Sequence, residues 1–357
     1  MKHYLFFCSH SYAIPILRPL EDAIVRRNGR VAWFLEPTCD SSLLSNIDFV
    51  LTDVHEVKKW RPEAIFAPGN LIYDFFPGIK VDIFHGYPIN KRNEAVPGHF
   101  RLRGWFDIYC TQGPSSTTEF KRLESAHRYF KVYETGWAKT DAIIKAKEEQ
   151  ERKSRQNAAE DKTTPPAIFV ASTFTKGISQ LKTLFPTIKH LAESKDWRWI
   201  ITAHPKLNDP ELKSELSLLS ERLDNVEYYP VTPSPEVMAA TDVMLCDTSS
   251  IMLEYMLLDK PVVTFRSNNQ GPQIMNIDKL EDVEKALSEA LTRPEHLMSA
   301  IREYMSYHDP HTDGKNCDRI LDAVEDFKNN WQGKMGRKPL NIIRKLKIRK
   351  RCWRLFL

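Results

Sequence analysis

The chain has 357 residues, 42% of them hydrophobic and 27% charged, a length that exceeds one ordinary core and a balance that excludes a disordered chain. Its formal net charge of +4 is unevenly spread: residues 327–357 hold eleven Lys or Arg and no Asp or Glu, which leaves residues 1–326 at −7. An acidic body argues against nucleic acid as a partner, while the basic end suggests an anionic surface.

In chain order, "YLFFCS" (4–9) predicts a strand and "IPILRPLEDAIVRRNG" (14–29) a helix ending at Gly29. "RVAWFLE" (30–36), "AIFAPG" (64–69), "VDIFHG" (81–86) and "DIYCTQG" (107–113) predict further strands. Each is a continuous apolar run closed by a polar or glycine-containing turn, the look of buried parallel strands. From Lys145 to Pro166 the composition turns polar and charged and closes on Pro-Pro, which marks a linker. The pattern then restarts. "PAIFVAS" (166–172), "WRWIITAHP" (197–205), "VEYYP" (226–230), "DVMLCD" (242–247) and "KPVVTF" (260–265) predict strands. Between them "QLKTLFPTIKHLAE", "DPELKSELSLLSERLD", "SPEVMAATD" and "SIMLEYMLLD" predict helices. Two successive α/β runs of similar size imply two doubly wound, Rossmann-like domains facing a cleft. The expected division is 1–150, a linker at 151–166, 167–330 and a basic tail at 331–357.

Six cysteines (8, 39, 110, 246, 317 and 352) show no C-x-x-C pair and sit mostly in apolar runs, so buried thiols in a reducing compartment are expected. The apolar run at the start is too short for a signal peptide, and no stretch approaches the ~18 apolar residues of a membrane span. A cytoplasmic protein is expected.

Ligands in open parallel sheets bind beyond the carboxyl ends of strands, where helix N–H groups attract anions. "DVMLCDTSS" followed by "IMLEYML" has that form. Asp247 or Thr248 would cap the helix, and Ser249 and Ser250 would add hydroxyl donors, a site suited to a phosphate or pyrophosphate; ordinary N-capping is the plainer alternative. His204 and Lys206 stand at the end of another strand. His85 ends a third, with Gly86 allowing close approach and Lys91 and Arg92 following. Each histidine alone could be structural, but their placement at strand ends in both halves favours a site.

These segments together resemble the CDP-glycerol glycerophosphotransferases, the family that builds teichoic acids and related polymers. The resemblance rests on "HGYP" at 85–88, "HPK" at 204–206 and "DTSSIMLEYMLLDKP" at 247–261. Looser likenesses are "ETGWAKTDAI" at 134–143 and "HTDGKNCDRILD" at 311–322. Tyr87 stands where the family has Thr, and Trp137-Ala138-Lys139 replaces a Pro-Arg pair, departures expected to bear on acceptor or donor identity. The resemblance implies a GT-B-like architecture, with the acceptor largely on the first domain and the donor on the second. It implies transfer of an alditol phosphate from a CDP-activated donor, such as CDP-glycerol, to a hydroxyl of a lipid-linked or membrane-displayed glycan, with release of CMP.

Within that implied reaction, His85 is the expected base, and His204, Ser249, Ser250 and the helix start after Asp247 the expected stabilisers of the diphosphate. Lys206 and Arg319 could add positive charge, and Glu254 and Asp313 could orient a histidine or meet a ribose hydroxyl, or simply be surface charges. No D-x-D or H-E-x-x-H occurs, so metal-independent catalysis without a cofactor is expected. The G-x-G-x-x-G fingerprint of dinucleotide enzymes is missing. A GT-B glycosyltransferase using a nucleotide sugar and a non-catalytic, membrane-bound nucleotide-binding protein are the alternatives.

In the tail, if helical, Ile342, Ile343, Leu346, Trp353, Phe356 and Leu357 fall largely on one side. Arg344, Lys345, Lys347 and Arg351 fall mainly elsewhere, while Arg349, Lys350 and Arg354 interrupt the stripe. A basic amphipathic helix of this kind would lie on an anionic membrane, and peripheral attachment to its inner face is expected; a solvated tail is the alternative.

Overall fold

The computed structural model describes residues 1–37, 39–87, 98–159, 164–173, 178–204, 206–231 and 234–351. The chain forms two compact units: Met1–Ala142 with Tyr307–Leu357, and Ile143–Ser306.

The first unit runs β1 (His3–Cys8), α1 (Ala13–Arg26), β2 (Arg30–Leu35), α2 (Val54–Trp60), β3 (Ala64–Ala67), β4 (Ile79–Asp82), β5 (Ile108–Thr111), α3 (Pro114–His127) and β6 (Lys131–Glu134). Helix α4 (Ala138–Ala159) then carries the chain into the second unit. There β7 (Ala167–Ser172), α5 (Leu181–Ser194), β8 (Arg198–Ala203), α6 (Pro210–Arg222), β9 (Val226–Tyr229), α7 (Pro235–Ala239) and β10 (Val243–Cys246) follow. They lead into α8 (Ile251–Met256), β11 (Val262–Phe265), β12 (Met275–Ile277), α9 (Val283–Leu291) and α10 (Glu295–His308). The chain returns to the first unit with α11 (Asn316–Asp326), a π-helical turn (Phe327–Trp331) and α12 (Ile342–Arg351).

Each unit holds one wholly parallel six-stranded sheet, ordered β2-β1-β3-β4-β5-β6 in the first and β12-β11-β10-β7-β8-β9 in the second. Parallel neighbours need crossovers, and helices on the sheet faces bury the strands, which is why the inner strands read as unbroken apolar runs. This is the α/β, doubly wound class that the sequence predicts. The first core is aromatic-rich, with Phe34 and Phe76 edge-to-face at 4.9 Å and Phe7 against Tyr73 at the same distance. The second is largely aliphatic around Ile168, Ile188, Leu216 and Leu287.

Several elements depart from the sequence reading. Strands β6 and β12 are sheet edges, part-exposed and without an apolar run. The stretch expected as a linker continues α4 through Ala159, because its Ala, Glu, Lys, Arg and Gln residues are strong helix formers. Residues 160–163 lie outside the described set. The chain after Tyr307 belongs to the first unit, whereas 167–330 was expected to be one domain.

Helix α12 is fastened to the first unit. Ile348 is buried in that unit's core, and Arg349 grips Asp74 with two bonds of 3.1 and 3.0 Å. Lys338 donates to the Trp105 carbonyl at 2.8 Å, and Asn341 to that of Arg103 at 2.9 Å. Facing solvent are Leu340, Ile342, Ile343 and Leu346, each at least 60% exposed, with Arg344, Lys347 and Lys350 also exposed. Trp353, Arg354, Phe356 and Leu357 lie outside the described residues, as do Lys91 and Arg92. Cys8, Cys110, Cys246 and Cys317 are buried free thiols and Cys39 a half-buried one; Cys352 is outside the described set. Among the described residues no helix is long and apolar enough to cross a membrane.

Candidate active site

In the first unit β4 stops at Asp82, three residues short of His85. The Asp82 carboxylate accepts the Phe84 N–H at 2.9 Å, and this tight turn carries Phe84 to φ 56°. His85 therefore stands beyond the strand end, in a kinked loop, and not on the strand's last position as the sequence suggests. Asp82 is fully enclosed. Burial pushes its carboxyl pKa up to about 8, against the lowering effect of the Phe84 N–H.

His85 is exposed to solvent, although protein crowds its surroundings. Its Nδ1 lies 3.1 Å from the Pro68 carbonyl. A carbonyl can only accept, so Nδ1 carries the proton and the neutral ring presents a bare Nε2. Desolvation lowers the ring's pKa from the ordinary imidazole value; the Pro68 carbonyl opposes this and nearby His10 adds to it.

The loop around His85 is held at several points. Gln112 Nε2 donates to the Gly86 carbonyl at 2.8 Å, and Trp137 Nε1 to the Phe84 carbonyl at 3.0 Å. A Cβ added at Gly86 would meet no protein atom within 4 Å, so the backbone does not demand glycine there and the space over it is open. The Tyr87 hydroxyl donates to Asp309 Oδ2 at 2.8 Å, and Thr140 donates to the same oxygen at 2.6 Å. Asp309 is 1% exposed and its Oδ1 has no hydrogen-bond partner among the described residues. Burial raises its pKa to about 7, with the Thr140 and Tyr87 bonds pulling the other way. Tyr87 and Trp137, the two departures from the family pattern, pack edge-to-face at 5.3 Å, and both are buried. Trp137 holds the His85 loop through the Phe84 carbonyl, and Tyr87, two residues after His85, ties the loop to Asp309.

Asp313 and Arg319, expected on the donor domain, fold into the first unit because α11 follows the chain's return. They grip one another through two bonds of 2.8 and 2.6 Å, and Arg319 also donates to Asn316 Oδ1 at 2.8 Å. Asn316 Nδ2 in turn donates to the Trp137 carbonyl at 3.1 Å. Gly136, at φ 76°, has no room for a Cβ, which would sit 2.4 Å from Asn316 Oδ1. Asp141 accepts the Asn316 and Cys317 N–H groups at 3.0 and 2.8 Å and so caps the start of α11. The two looser segments of the resemblance are thus knitted together beside the His85 loop.

In the second unit β8 and β10 flank β7, so their ends lie roughly 10 Å apart at one sheet edge. His204 follows β8, and residues 247–250 follow β10. His204 Nδ1 accepts the Lys206 N–H at 3.0 Å, which puts the proton of the neutral ring on Nε2. Lys206 is exposed, and Glu254 lies in the first turn of α8.

Neither Asp247 nor Thr248 caps the helix. The N-cap is Ser250, with no side-chain bond, and α8 has only six residues, so its dipole is short. Asp247, at the sheet edge beside β7, is 1% exposed and accepts from the Ser172 hydroxyl, from Thr173 N–H at 2.9 Å and from Gln180 N–H at 3.1 Å. Thr248 is fully buried and accepts the Asn268 N–H at 3.0 Å. These two residues shape the turn. Ser249 and Ser250 are half-exposed, and their hydroxyls have no hydrogen-bond partner among the described residues. Lys260, of the "KP" pair, works at the other edge, donating to the Ala239 carbonyl at 2.5 Å and to that of Thr241; burial lowers its pKa to about 8.

The sequence reading missed Asp82, Gln112, Trp137, Thr140 and Asp309 as supports. Only Asp82, a lone carboxylate inside "VDIF", carries a local signal. Among the described residues no group of three or more His, Cys, Asp or Glu is placed to hold a metal ion.

Residues 107–326, more than half the chain, match the family model described as CDP-Glycerol:Poly(glycerophosphate) glycerophosphotransferase. The chain has no match among the curated proteins. Among solved structures it is similar to the wall teichoic acid polymerase TagF, at 14% identity and a TM-score of 0.64 over 92% of this chain and 90% of that one. It is similar to the UDP-GlcNAc 2-epimerase from Neisseria meningitidis bound to UDP-GlcNAc, at 14% identity and a TM-score of 0.57 over 91% of this chain and 100% of that one. A putative UDP-N-acetylglucosamine 2-epimerase from Listeria monocytogenes gives 11% identity and a TM-score of 0.61 over 92% and 97%. At these identities the likeness is one of fold, the GT-B-like α/β class.

Proposed function

The chain belongs to the CDP-glycerol:poly(glycerophosphate) glycerophosphotransferase family, and from that premise we propose how its own residues carry out the transfer of glycerol phosphate. An acceptor hydroxyl gives its proton to His85 Nε2 as its oxygen attacks the β-phosphate of CDP-glycerol. The new P–O bond joins glycerol phosphate to the acceptor, the diphosphate P–O bond breaks, and CMP leaves. His204, with its proton on Nε2, donates to the departing phosphate, and the Ser249 and Ser250 hydroxyls donate to the diphosphate oxygens. Protein donors meet the charge in this reading, so chelation of divalent ions by EDTA is expected to leave the rate unchanged.

The observation that carries the reading is the Pro68 carbonyl on His85 Nδ1. It fixes the tautomer that a base needs, and the lowered pKa keeps the ring neutral at cytoplasmic pH. A histidine variant of TagF has been solved with CDPG soaked in, so that protein accepts such a compound within this fold. The acceptor in this reading is a membrane-displayed glycan or polymer. The basic, apolar outer face of α12 supports it, since that face suits anionic lipid.

Release of CMP from CDP-glycerol in the presence of acceptor tests the assignment. His85→Ala is expected to lower kcat about 10²–10⁴-fold with donor affinity kept. His204→Ala is expected to lower kcat and to weaken donor binding. A folded His85→Ala variant that transfers at the wild-type rate would refute the role given to His85.

A further inference from the structure

The first sheet reverses direction between β1 and β3: the chain steps outward from β1 to β2, then proceeds from β3 to β6 on the other side. At such a switch the loops leaving the two strands diverge and open a crevice at the strands' carboxyl ends, where ligands of open α/β sheets bind. Here those loops are residues 9–12 and residues 68–78, and the second supplies, at Pro68, the carbonyl that holds His85.

Tyr12 is 40% exposed, so part of its ring faces solvent. Its centroid lies 5.4 Å from that of His85, tilted by 40°, and 5.4 Å from that of His10, tilted by 42°. The three rings form a row whose members are tilted and not stacked, and His10 and Tyr12 present surface to solvent. A bond to the Ser9 side chain steadies the Tyr12 hydroxyl. A Cβ at Gly69 would come within 3.1 Å of Ser9 Oγ and 3.3 Å of the Tyr12 hydroxyl, so glycine lets the two loops meet at the foot of this row.

We infer that Ser9, His10 and Tyr12, packed over Gly69, form the acceptor subsite. A polyol phosphate chain end lies with its C–H face on the Tyr12 ring and its reacting hydroxyl at His85. Aromatic surface with a few fixed polar groups is the lining that binds such a molecule. The inference rests on His85 as the base and adds the group that brings the hydroxyl to it.

Steady-state kinetics with CDP-glycerol and a soluble poly(glycerophosphate) oligomer test it, beside calorimetric binding of the same oligomer. Tyr12→Ala is expected to raise the acceptor KM and the oligomer Kd about tenfold. The KM for CDP-glycerol and the acid limb of the pH profile stay as in wild type. Tyr12→Phe keeps most of the acceptor affinity, and His10→Ala weakens it. An unchanged oligomer Kd in Tyr12→Ala overturns the inference. So does a fall in kcat with a displaced acid limb, which would make Tyr12 a support for His85 instead. A wild-type protein that neither binds nor elongates the oligomer overturns the ligand class assigned to the subsite. If His85→Ala transfers normally while Tyr12→Ala still weakens oligomer binding, the base assignment falls and the subsite stands.

Discussion

His85 and His204 hold their protons on opposite nitrogens because one faces a carbonyl and the other an amide N–H. The chemistry proposed for each follows from that contrast, and the lowered pKa of His85 should show in kinetics. Its base form persists below the ordinary imidazole value, so the acid limb of kcat/KM is expected below about pH 6.5. Asp82 offers a separate readout in stability. Its native pKa of about 8 lies far above the ~3.9 of an unfolded aspartate, so between these values the folded state binds more protons. Unfolding free energy contributed by this group is therefore present at low pH and lost as pH rises from about 4 through 8. In urea titrations, Asp82→Asn is expected to gain on wild type between pH 5 and pH 8; a constant difference across that range would contradict the burial argument. The positions of His85, His204, Ser249 and Ser250 beyond strand ends were legible because glycine, proline and paired serines mark loop ends locally. Asp309 was not, since its partner Tyr87 is 222 residues away and one sequence records no pairing across that distance.

At the scale of elements, Asp247 is a clasp between strands. Its carboxylate gathers donors from the end of β7 and the start of α5 onto the end of β10, fixing the turn that presents Ser249 and Ser250. Asp247→Ala leaves the buried Thr173 N–H and the half-buried Gln180 N–H without this acceptor, while the Ser172 hydroxyl keeps the Thr173 carbonyl and Ser179, and it is expected to cost on the order of 2 kcal/mol in chemical denaturation. It should also raise the KM for CDP-glycerol. A variant as stable as wild type would show the clasp to be dispensable. The sequence disclosed this turn's place but not its wiring: Asp-Thr-Ser-Ser before an apolar run suggests a cap, and only the adjacency of β10 to β7 shows where the carboxylate goes. The inner strands were readable because both their faces are covered. Edge strands β6 and β12 were not, and polarity alone misled at 151–159, where a solvated helix carries charges such as Glu151 and Arg155 one turn apart.

Over the whole molecule the charge is divided between an acidic body and a basic end, and α12 turns that end into a fixed surface. Each basic residue near an anionic leaflet contributes about 1 kcal/mol. Replacing both Lys347 and Lys350 with Gln is therefore expected to weaken binding to vesicles containing anionic lipid by tenfold or more. Ile343→Asp should weaken it as well, by removing apolar contact. Neutral vesicles or high salt should abolish it in wild type. Binding indifferent to all of these changes would remove α12 as the membrane-facing element.

The first unit is assembled from two stretches of chain separated by the whole of the second. During synthesis its sheet emerges early, yet Asp309, Asn316 and Ile348, which complete its interior, leave the ribosome some two hundred residues later. The second unit is finished in the meantime. The nascent first half must wait, with Tyr87 and Trp137 lacking their partners, and is exposed to proteases and chaperones for that interval. Translation arrest after residue 306 but before residue 348 would then yield a complete second unit beside an incomplete first one.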